Sequence, residues 1–399
     1  MYREMRIGII SMVDISTFLP FFEEKEDKIL LESNCYPNAA PAVNTLILSF
    51  LKAGHFVRIF TIANNSFKIQ SQNLEIHTVT AYQKYPWKYL WGVYKNAYSL
   101  KVLLKDRLDD LDVLHAHWTY DFAYAASYYS KQIPVICTVR DWASYIWKIE
   151  SAKNKITWCF KYIINEMVFQ QEDIHFVANS PYTAQLIEKK YHKTVPIIPN
   201  SIKSSFIRTD SHLQSNKLNI LCISSSNDKR KNIKNLLKAF GLFRQKFPNA
   251  ILQLVGAPFI EGEPIIEKWK RQNLLQQVIL VGSVKHDKLI EYIDQATLFI
   301  TPSLEETFGN TLLESIVRKV PVIGGINSGA VPYVLQYGEA GFLCDVSNPN
   351  SICSTLEYVC TNPQEVNKVV QRAYQIITTK YNDSTICDQY ISLYTKSIK

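Results

Sequence analysis

Glycine and proline, the residues that most often interrupt regular structure, are scarce here: the chain has 13 glycines and 16 prolines among 399 residues. It shows no low-complexity tract and no repeat of fixed period, which excludes a disordered chain and a repeat array. It also lacks any run of roughly eighteen apolar residues, and the apolar segment before Asp14 is too short for a signal peptide. We therefore expect neither a membrane-spanning helix nor a cleaved leader.

Metal-binding patterns are missing as well, because none of the eight cysteines forms a Cys-x-x-Cys pair or belongs to a histidine pattern typical of zinc. We expect reduced thiols, a cytoplasmic protein, and no metal ion or other cofactor. The net charge of +8 favours anionic partners, such as phosphorylated small molecules, an acidic membrane surface or nucleic acid. Nucleic acid is disfavoured, because the lysines are scattered and no recognition motif is present.

The sequence does contain two series of short apolar runs with helical patterns between them. Such runs are typical of strands in parallel sheets that are covered on both faces. We predict strands in RIGII, FVRIFTI, DVLHAHW, PVICTVR and IHFVANS, and then in NILCISS, AILQLVG, QVILVG, TLFITPS and VPVIGG. The fold class is therefore α/β, with two Rossmann-like, doubly wound parallel-sheet domains facing a central cleft, where such sheets bind ligands.

The domain boundaries follow from residues 203–217, which are rich in Ser, Lys, Asn and Asp and are typical of a linker. We assign residues 1–202 to an N-terminal domain and residues 203–380 to a C-terminal domain. Residues 381–399 are expected to form a helix that packs back on the N-terminal domain.

The most informative segment is PSLEETFGNTLLES, which follows a predicted strand and leads into a helix. Its Pro-Ser and Phe-Gly pairs interrupt the chain, so we place Glu306 on the loop and Glu314 in the helix. Gly309 and Asn310 then mark a helix N-terminus whose free amides suit a diphosphate. Two glutamates eight residues apart are common by chance, and a solvated helix face is the alternative.

This segment resembles the signature of glycosyltransferase family 4, also called glycosyl transferases group 1, whose members are retaining enzymes of the GT-B fold. The signature has Pro-Ser, a glutamate, seven residues that include Phe-Gly, a second glutamate and then a Pro-Val-Ile strand. Glu306 and Glu314 fill its two carboxylate positions. The resemblance implies that Glu306 contacts the donor sugar and Glu314 the nucleotide ribose. It also places Phe308, Gly309 and Asn310 at the donor.

The similarity extends over nearly the whole chain, through KAGHFVRIFT, DVLHAHW, VANSPYTAQLI, IIPNSI, KRKNIKNLLKAF and GAVPYVLQYGEAGFLCD. It implies a hexosyltransferase that moves a sugar from a nucleoside diphosphate sugar to an acceptor, with retention and without a metal. The acceptor, either lipid-linked or a growing polysaccharide, would lie on the side of residues 1–202, and the donor on the side of 203–380. Two alternatives remain: a non-catalytic protein that binds nucleotide sugars, and a nucleotide-sugar epimerase of the same fold.

Lys231 follows the strand NILCISS, where a helix begins. A cation there can neutralise a leaving diphosphate. The family has a lysine at this position together with an upstream arginine, but Ser224, Ser225 and Ser226 occupy the corresponding strand end. We retain Ser225 as a donor-binding candidate, and the alternative for Lys231 is a solvated side chain on a basic loop.

Two histidines, His115 and His117, stand two apart in a predicted strand and therefore share a face. They can be metal ligands, buried structural residues or cleft-lining residues. Metal is disfavoured because no third ligand stands at an obvious spacing. We place His117 on the acceptor side of the cleft.

Arg140 stands where the family often has a histidine near the anomeric centre. It cannot act as a base because it stays protonated, but it can hold a phosphate or an acceptor anion. The next residue, Asp141, can accept a hydrogen bond from the acceptor, and we count both as catalytic candidates. A structural ion pair is the alternative for either residue.

Ala39 and Ala40 lie where the family often carries paired glycines that bring backbone amides to the donor phosphates. The small alanine side chain still permits approach, but a positive φ becomes costly. Both residues are kept as donor-binding candidates.

The segment from Lys84 to Lys105 predicts a helix on the surface of an anionic membrane, at the inner face of the plasma membrane. Steps of about 100° align an aromatic stripe beside an aliphatic face and a row of lysines. The stripe is Trp87, Trp91, Tyr94 and Tyr98, the aliphatic face is Leu90, Val93, Ala97, Leu100 and Leu104, and the lysines are Lys84, Lys88 and Lys95. Gly92 is a possible break in the helix. The alternative is that the aromatic residues pack on the neighbouring domain or line an acceptor groove.

Overall fold

A computed structural model describes residues 3–84, 88–150, 152–210 and 218–398. The chain divides into two compact domains: the first comprises residues up to Ser201 together with those from Asp383 onward, and the second spans Ile202–Asn382. The C-terminal helix thus belongs to the first domain although the second precedes it in the chain.

Both domains alternate strands and helices along the described residues. The strands are β1 (Arg6–Ile10), β2 (Phe56–Ala63), β3 (Lys68–Gln70), β4 (Leu74–Thr80), β5 (Val113–His117), β6 (Val135–Val139), β7 (Ile174–Ala178), β8 (Asn219–Ile223), β9 (Ile251–Val255), β10 (Val278–Gly282), β11 (Leu298–Ile300), β12 (Val322–Gly325) and β13 (Phe342–Cys344). The α-helices are α1 (Lys25–Asn34), α2 (Pro41–Lys52), α3 (Lys88–Leu104), α4 (Asp121–Ser127), α5 (Ala143–Ile149), α6 (Ala152–Phe169), α7 (Pro181–Tyr191), α8 (Ile233–Phe243), α9 (Pro264–Arg271), α10 (Leu289–Gln295), α11 (Asn310–Val317), α12 (Val331–Val334), α13 (Pro349–Thr361), α14 (Pro363–Lys380) and α15 (Asp383–Ser397). Short 3₁₀ helices occur at Ile15–Phe21, Ser204–Phe206, Lys229–Lys231, His286–Lys288 and Gln336–Gly338.

The sheet of the first domain has the strand order β3-β4-β2-β1-β5-β6-β7. Its strands are parallel except for β3, which runs antiparallel to β4 at the edge. All eight residues of β2 are buried, as expected for a central strand with helices on both faces. The strand order reverses at β1, which lies between β2 and β5, so the carboxyl ends of β1 and β5 diverge into a crevice.

The sheet of the second domain is wholly parallel, with the order β10-β9-β8-β11-β12-β13. Its order reverses at β8, which lies between β9 and β11. Helix α8 packs against this sheet with an apolar face that includes the buried Leu236, Leu237 and Phe240. Each such side chain contributes roughly 1.5–3 kcal/mol on full burial.

Ten predicted strands are confirmed, and β3, β4 and β13 were missed. β3 and β13 have three residues each, too few for a periodic pattern to show. β4, with the sequence LEIHTVT, has its charged Glu75 paired with Arg58 of β2, a tertiary contact that a pattern of apolar residues does not reveal.

The prediction that residues 203–217 form a linker is wrong for residues 203–210. Residues 203–210 pack on the second domain: Phe206 is fully buried in its core and Arg208 pairs with Asp294. The other half, 211–217, lies outside the described residues.

Helix α15 packs on α2 within the first domain. Tyr390 and Tyr394 are buried there, and both rings lie against Phe50, with centroids 6.4 and 5.8 Å away. The C-terminal segment is therefore part of the core of the first domain.

Candidate active site

Lys231 and Glu306, two of the predicted catalytic residues, form an ion pair at the strand ends of the second domain. Lys231 ends the 3₁₀ helix that follows β8, and Glu306 lies on the loop after β11. The Lys231 Nζ and Glu306 Oε1 atoms are 2.6 Å apart, and the two side chains are 13% and 15% exposed. β8 and β11 are neighbours at the point where the strand order reverses, which is where doubly wound sheets bind their ligands.

Asn232, directly after Lys231, links the segment after β8 to the loop after β11 by hydrogen bonds. This residue takes a left-handed conformation, with φ of +54°, which asparagine tolerates better than most residues. Its Nδ2 donates to the carbonyl oxygens of Pro302, at 3.0 Å, and Val346, at 2.7 Å. The amide of Leu304 also donates to the Arg230 carbonyl oxygen at 2.7 Å. The backbone therefore fixes the positions of both charged side chains.

Arg230, directly before Lys231, places a second cation beside Glu306, whereas the family resemblance implied an arginine at the end of the preceding strand. Its Nη1 lies 3.7 Å from Glu306 Oε2 and 3.8 Å from Glu305 Oε2. Burial would raise the pKa of the Glu306 carboxyl, but the charges of Lys231 and Arg230, together with hydrogen bonds, hold it below its usual value. Glu306 is therefore ionised at neutral pH.

Helix α11 begins where the sequence predicts. Gly309 caps it with φ of +98°, a conformation that glycine adopts without steric cost, and Asn310 is its first residue. The ring of Phe308, a predicted donor contact, is 2% exposed and packs on Tyr381 at 5.9 Å, so it is a core residue. Ser225 is exposed beyond the end of β8.

Glu314 lies inside α11 and is 5% exposed. Its Oε1 accepts a hydrogen bond from His286 Nε2 at 2.8 Å, whereas its Oε2 has no hydrogen-bond partner among the described residues. Burial would lower the pKa of His286, but the Glu314 carboxylate raises it above its usual value. No sequence pattern indicated that His286 contacts Glu314.

In the first domain, His115 is fixed by a buried polar network. Its Nδ1 lies 2.6 Å from the Tyr394 hydroxyl, and its Nε2 lies 2.8 Å from Thr138 Oγ1. Thr138 Oγ1 is in turn 3.1 Å from the Tyr390 hydroxyl. Of the readings considered for His115, the buried structural one is correct.

His117 ends β5 at the reversal of the first sheet and is held by Arg140, which follows β6. Arg140 Nε donates to His117 Nδ1 at 3.0 Å, and Arg140 Nη1 donates to Asn200 Oδ1 at 2.6 Å. Burial, reinforced by His115 and Arg140, keeps the pKa of His117 well below its usual value. The neutral ring must carry its hydrogen on Nε2, because a guanidinium can only donate. That Nε2 is buried without a partner among the described residues, so it can donate to a ligand.

Two further features mark this end of the first sheet. Trp118, directly after His117, has φ of +63°, a conformation that costs a non-glycine residue about 1–2 kcal/mol. Such strain is concentrated at functional sites. Asp141, the neighbour of Arg140, is half-buried, and its charge opposes the effect of burial on the pKa of Arg140.

Ala40 adopts the costly conformation that its sequence position suggested. Its φ is +46° at the N-terminal cap of α2. Asp14 braces the preceding loop, because its Oδ2 accepts a hydrogen bond from the Asn38 amide at 2.8 Å. Ala39 is half-buried beside Ala40. The left-handed backbone conformation at position 40 is therefore formed by an alanine.

The described parts of the chain contain no group of three or more His, Cys, Asp and Glu side chains that could hold a metal ion. Across the same residues, none of the helices combines the length and apolar character needed to cross a membrane.

Two family profiles match consecutive parts of the chain. The profile described as Glycosyltransferase Family 4 matches residues 41–206, and the profile described as Glycosyl transferases group 1 matches residues 206–376. Among curated relatives, the N-acetyl-alpha-D-glucosaminyl L-malate synthase of Bacillus anthracis is 23% identical over 384 residues, which cover 92% of this chain and 97% of that protein.

Solved structures share the architecture over the full length. Sucrose-phosphate synthase from Thermosynechococcus elongatus superimposes with a TM-score of 0.76 at 16% identity, covering 99% of both chains. Anabaena HepE, in complex with UDP and glucose, superimposes with a TM-score of 0.67 at 14% identity, covering 98% of this chain and 100% of that one. Two parallel-sheet Rossmann-like domains of this kind are the GT-B fold. Since the two profiles together run from residue 41 to 376, the chain belongs to glycosyltransferase family 4.

Proposed function

We propose that the protein transfers a hexosyl group from a nucleoside diphosphate sugar to an acceptor with retention of configuration and without a metal ion. The observation that carries this proposal is the Lys231–Glu306 pair, 2.6 Å apart where the strand order of the second sheet reverses. The Bacillus anthracis relative, named as a glucosaminyl malate synthase, and the UDP and glucose bound to Anabaena HepE support this class of donor.

Lys231 and Arg230 would stabilise the leaving diphosphate. An ammonium has three donors, so Lys231 can keep its bond to Glu306 and still donate to a phosphate oxygen. Arg230 has a Nη1 only 3.7 Å from Glu306 Oε2 and adds a second positive charge. When the bond from the anomeric carbon to the diphosphate breaks, its electron pair passes to the phosphate oxygen. Cations already in place lower the energy of that charge.

Glu306 would accept hydrogen bonds from hydroxyls of the donor sugar. The cations that hold it ionised also fix its direction, so the sugar meets a preorganised acceptor. The amides at the start of α11, after the Gly309 cap, would bind the diphosphate.

The acceptor hydroxyl must lose a proton when it attacks the anomeric carbon. His117 cannot take it, because Arg140 occupies Nδ1 and the hydrogen is on Nε2. Arg140 stays protonated. We therefore assign the proton to an oxygen of the departing diphosphate, with Asp141 accepting a hydrogen bond from the acceptor and His117 donating one to it. Transfer to the face that the leaving group vacates retains the configuration.

Release of free nucleoside diphosphate tests this function. Purified protein is incubated with a panel of nucleotide sugars, alone and with lipid-linked and polysaccharide acceptors. Acceptor-dependent release, with an NMR-determined anomeric configuration that matches the donor, supports a retaining transferase. Binding without release would indicate a non-catalytic protein, and a changed donor sugar without acceptor would indicate an epimerase.

Chelation is expected to leave turnover unchanged. Lys231 and Arg230 supply the positive charge that a metal ion would otherwise bring to the diphosphate. Activity is measured in excess EDTA and again after Mg²⁺ or Mn²⁺ is added. A loss in EDTA that either ion reverses would contradict metal-independent transfer.

We further propose that α3 docks on an anionic membrane, from which the enzyme would reach a lipid-linked acceptor at the inner face of the plasma membrane. The helix continues through Gly92, contrary to the suggested break. Its inner face is buried at Val93, Ala97, Leu100 and Leu104. Its outer face exposes Trp91 by 48%, Tyr94 by 45%, Tyr98 by 58% and Val102 by 53%. Trp87 and the side chain of Leu90 lie outside the described residues.

Neighbouring helices extend this surface. Tyr128, at the end of α4, is 48% exposed, and the Lys101 ammonium lies 3.5 Å from its ring centroid. Trp91 lies 5.8 Å from Phe160 of α6, a helix that also exposes Ile163 and Met167. Exposed aromatic and aliphatic groups next to lysines suit the boundary between lipid headgroups and acyl chains.

Replacing Trp91 and Tyr98 together with alanine is expected to weaken binding to anionic vesicles several-fold, because both exposed rings are lost. Co-sedimentation is measured with anionic and with neutral vesicles, at low and high salt. The control replaces Tyr337 and Tyr358, which are exposed aromatics of the second domain, with alanine. Equal binding by both double variants, or none by the wild type, would show that this surface is not the membrane contact.

A further inference from the structure

The Glu314 carboxylate is held by one oxygen only. His286 Nε2 donates to Oε1 at 2.8 Å, and Oε2 is buried without a hydrogen-bond partner among the described residues. A buried carboxylate oxygen without a hydrogen-bond partner destabilises the folded protein. A ligand that donates a hydrogen bond to this oxygen removes that cost, and this favours binding of the ligand. The Glu314 side chain as a whole is 7% exposed, so it lies close to the surface of the domain.

The terminal torsion of a glutamate is soft, so a free carboxylate would exchange its two oxygens readily. The bond from His286 prevents this, provided that the imidazole itself is fixed. Its ring packs on Phe206, which is fully buried, with centroids 4.9 Å apart and planes tilted by 35°. The imidazole is thus supported by the core of the second domain.

Asp287 and Lys203, two other charges that act on the His286 imidazole, are paired with each other. Asp287, the next residue, lies 2.6 Å from Lys203 Nζ, so these two largely offset each other. Glu314 is the carboxylate that His286 itself contacts. His286 is therefore placed to act on Glu314.

We propose that His286 is a positioning residue for the donor nucleotide: it holds one oxygen of Glu314 so that the other accepts a hydrogen bond from a ribose hydroxyl. This rests on the proposed function, because it takes a nucleoside diphosphate as the ligand. In this role His286 acts through Glu314, so its contribution depends on the ribose hydroxyls.

The test compares ribose with its deoxygenated form. Dissociation constants are measured by calorimetry for UDP, ADP and GDP and for the 2′,3′-dideoxy analogue of each. For the nucleotide that binds, the wild type should prefer the ribose form by at least about tenfold, as expected for a hydroxyl bonded to a carboxylate. His286→Leu should reduce this preference to about threefold or less and leave the affinity for the dideoxy analogue within about twofold.

Two variants separate positioning from general damage. In His286→Gln an amide nitrogen lies near the position of Nε2, so the ribose preference should return to within about threefold of the wild type. Lys288→Ala, in the same 3₁₀ helix but with an exposed side chain, should leave it unchanged.

The outcomes distinguish failure of the positioning role of His286 from failure of the proposed function. Equal loss of affinity for the ribose and dideoxy forms in His286→Leu, or no rescue by His286→Gln, would overturn the positioning role and leave the proposed function standing. Binding of none of the three nucleotides to the wild type would overturn the proposed function together with this inference.

Discussion

Replacing Lys231 with alanine is expected to lower kcat/KM about a hundredfold, the size of effect seen when a preorganised group that stabilises developing charge is removed. The variant loses the ammonium 2.6 Å from Glu306 and with it the cation proposed to meet the leaving diphosphate. Arg230 remains, at 3.7 Å from the same carboxylate, and would account for the residual activity. Steady-state kinetics with the donor found by nucleotide-sugar screening measure the loss.

The matched control is Lys229→Ala, which removes the same charge from an exposed side chain two residues earlier in the same 3₁₀ helix. Its kcat/KM should stay within about threefold of the wild type. Circular dichroism and the melting temperature show whether each variant is folded. Folded Lys231→Ala protein with the turnover of the control would remove Lys231 from the site.

Glu306→Gln is expected to lower kcat/KM at least about tenfold, because the neutral amide has nearly the same shape but is a weaker acceptor for the sugar hydroxyls. The change also leaves Lys231 without the carboxylate that orients it. The same kinetic assay is used, with donor concentrations on both sides of KM so that kcat and KM are resolved separately.

Glu339→Gln makes the same chemical change at an exposed position of the same domain and should be neutral. If folded Glu306→Gln protein matched Glu339→Gln in turnover, Glu306 would have no part in sugar recognition.

Much of the fold was predictable because its signals are local. Each apolar run bounded by a helical pattern became a strand, and the Pro-Ser and Phe-Gly pairs correctly separated Glu306 on its loop from Glu314 in α11. The order of the strands, which brings the ends of β8 and β11 together, is a tertiary property. The pattern of apolar runs predicted doubly wound parallel sheets, but it did not predict this strand order.

Arg230 and His286 contact Glu306 and Glu314, but they were not predicted from the sequence. Arg230 was sought before Lys231 along the strand, yet it is the adjacent residue, and a 3₁₀ turn directs both side chains to Glu306. His286 lies 28 residues before Glu314, and no spacing rule connects them. A cation next to a predicted phosphate-binding lysine was a usable signal, whereas for His286 there was none.

In the first domain, the sequence predicted the positions of two histidines but not their different roles. The shared face of His115 and His117 was predicted, and their ring centroids are 4.0 Å apart. Their roles differ because of distant partners: Tyr394 of α15 fixes His115, whereas Arg140 fixes His117. The sequence predicted that the C-terminal helix packs on the first domain, but it did not predict that Tyr394 contacts His115, which lies 279 positions earlier.

The central claim, that a nucleoside diphosphate sugar binds at the Lys231–Glu306 pair, is tested most directly by thermal stabilisation. The melting temperatures of the wild type and of Lys231→Ala are compared with and without each member of a panel of nucleotide sugars. The account predicts that one donor class raises the melting temperature of the wild type and raises that of Lys231→Ala much less. Equal stabilisation of both proteins, or stabilisation of neither by any donor, would contradict it.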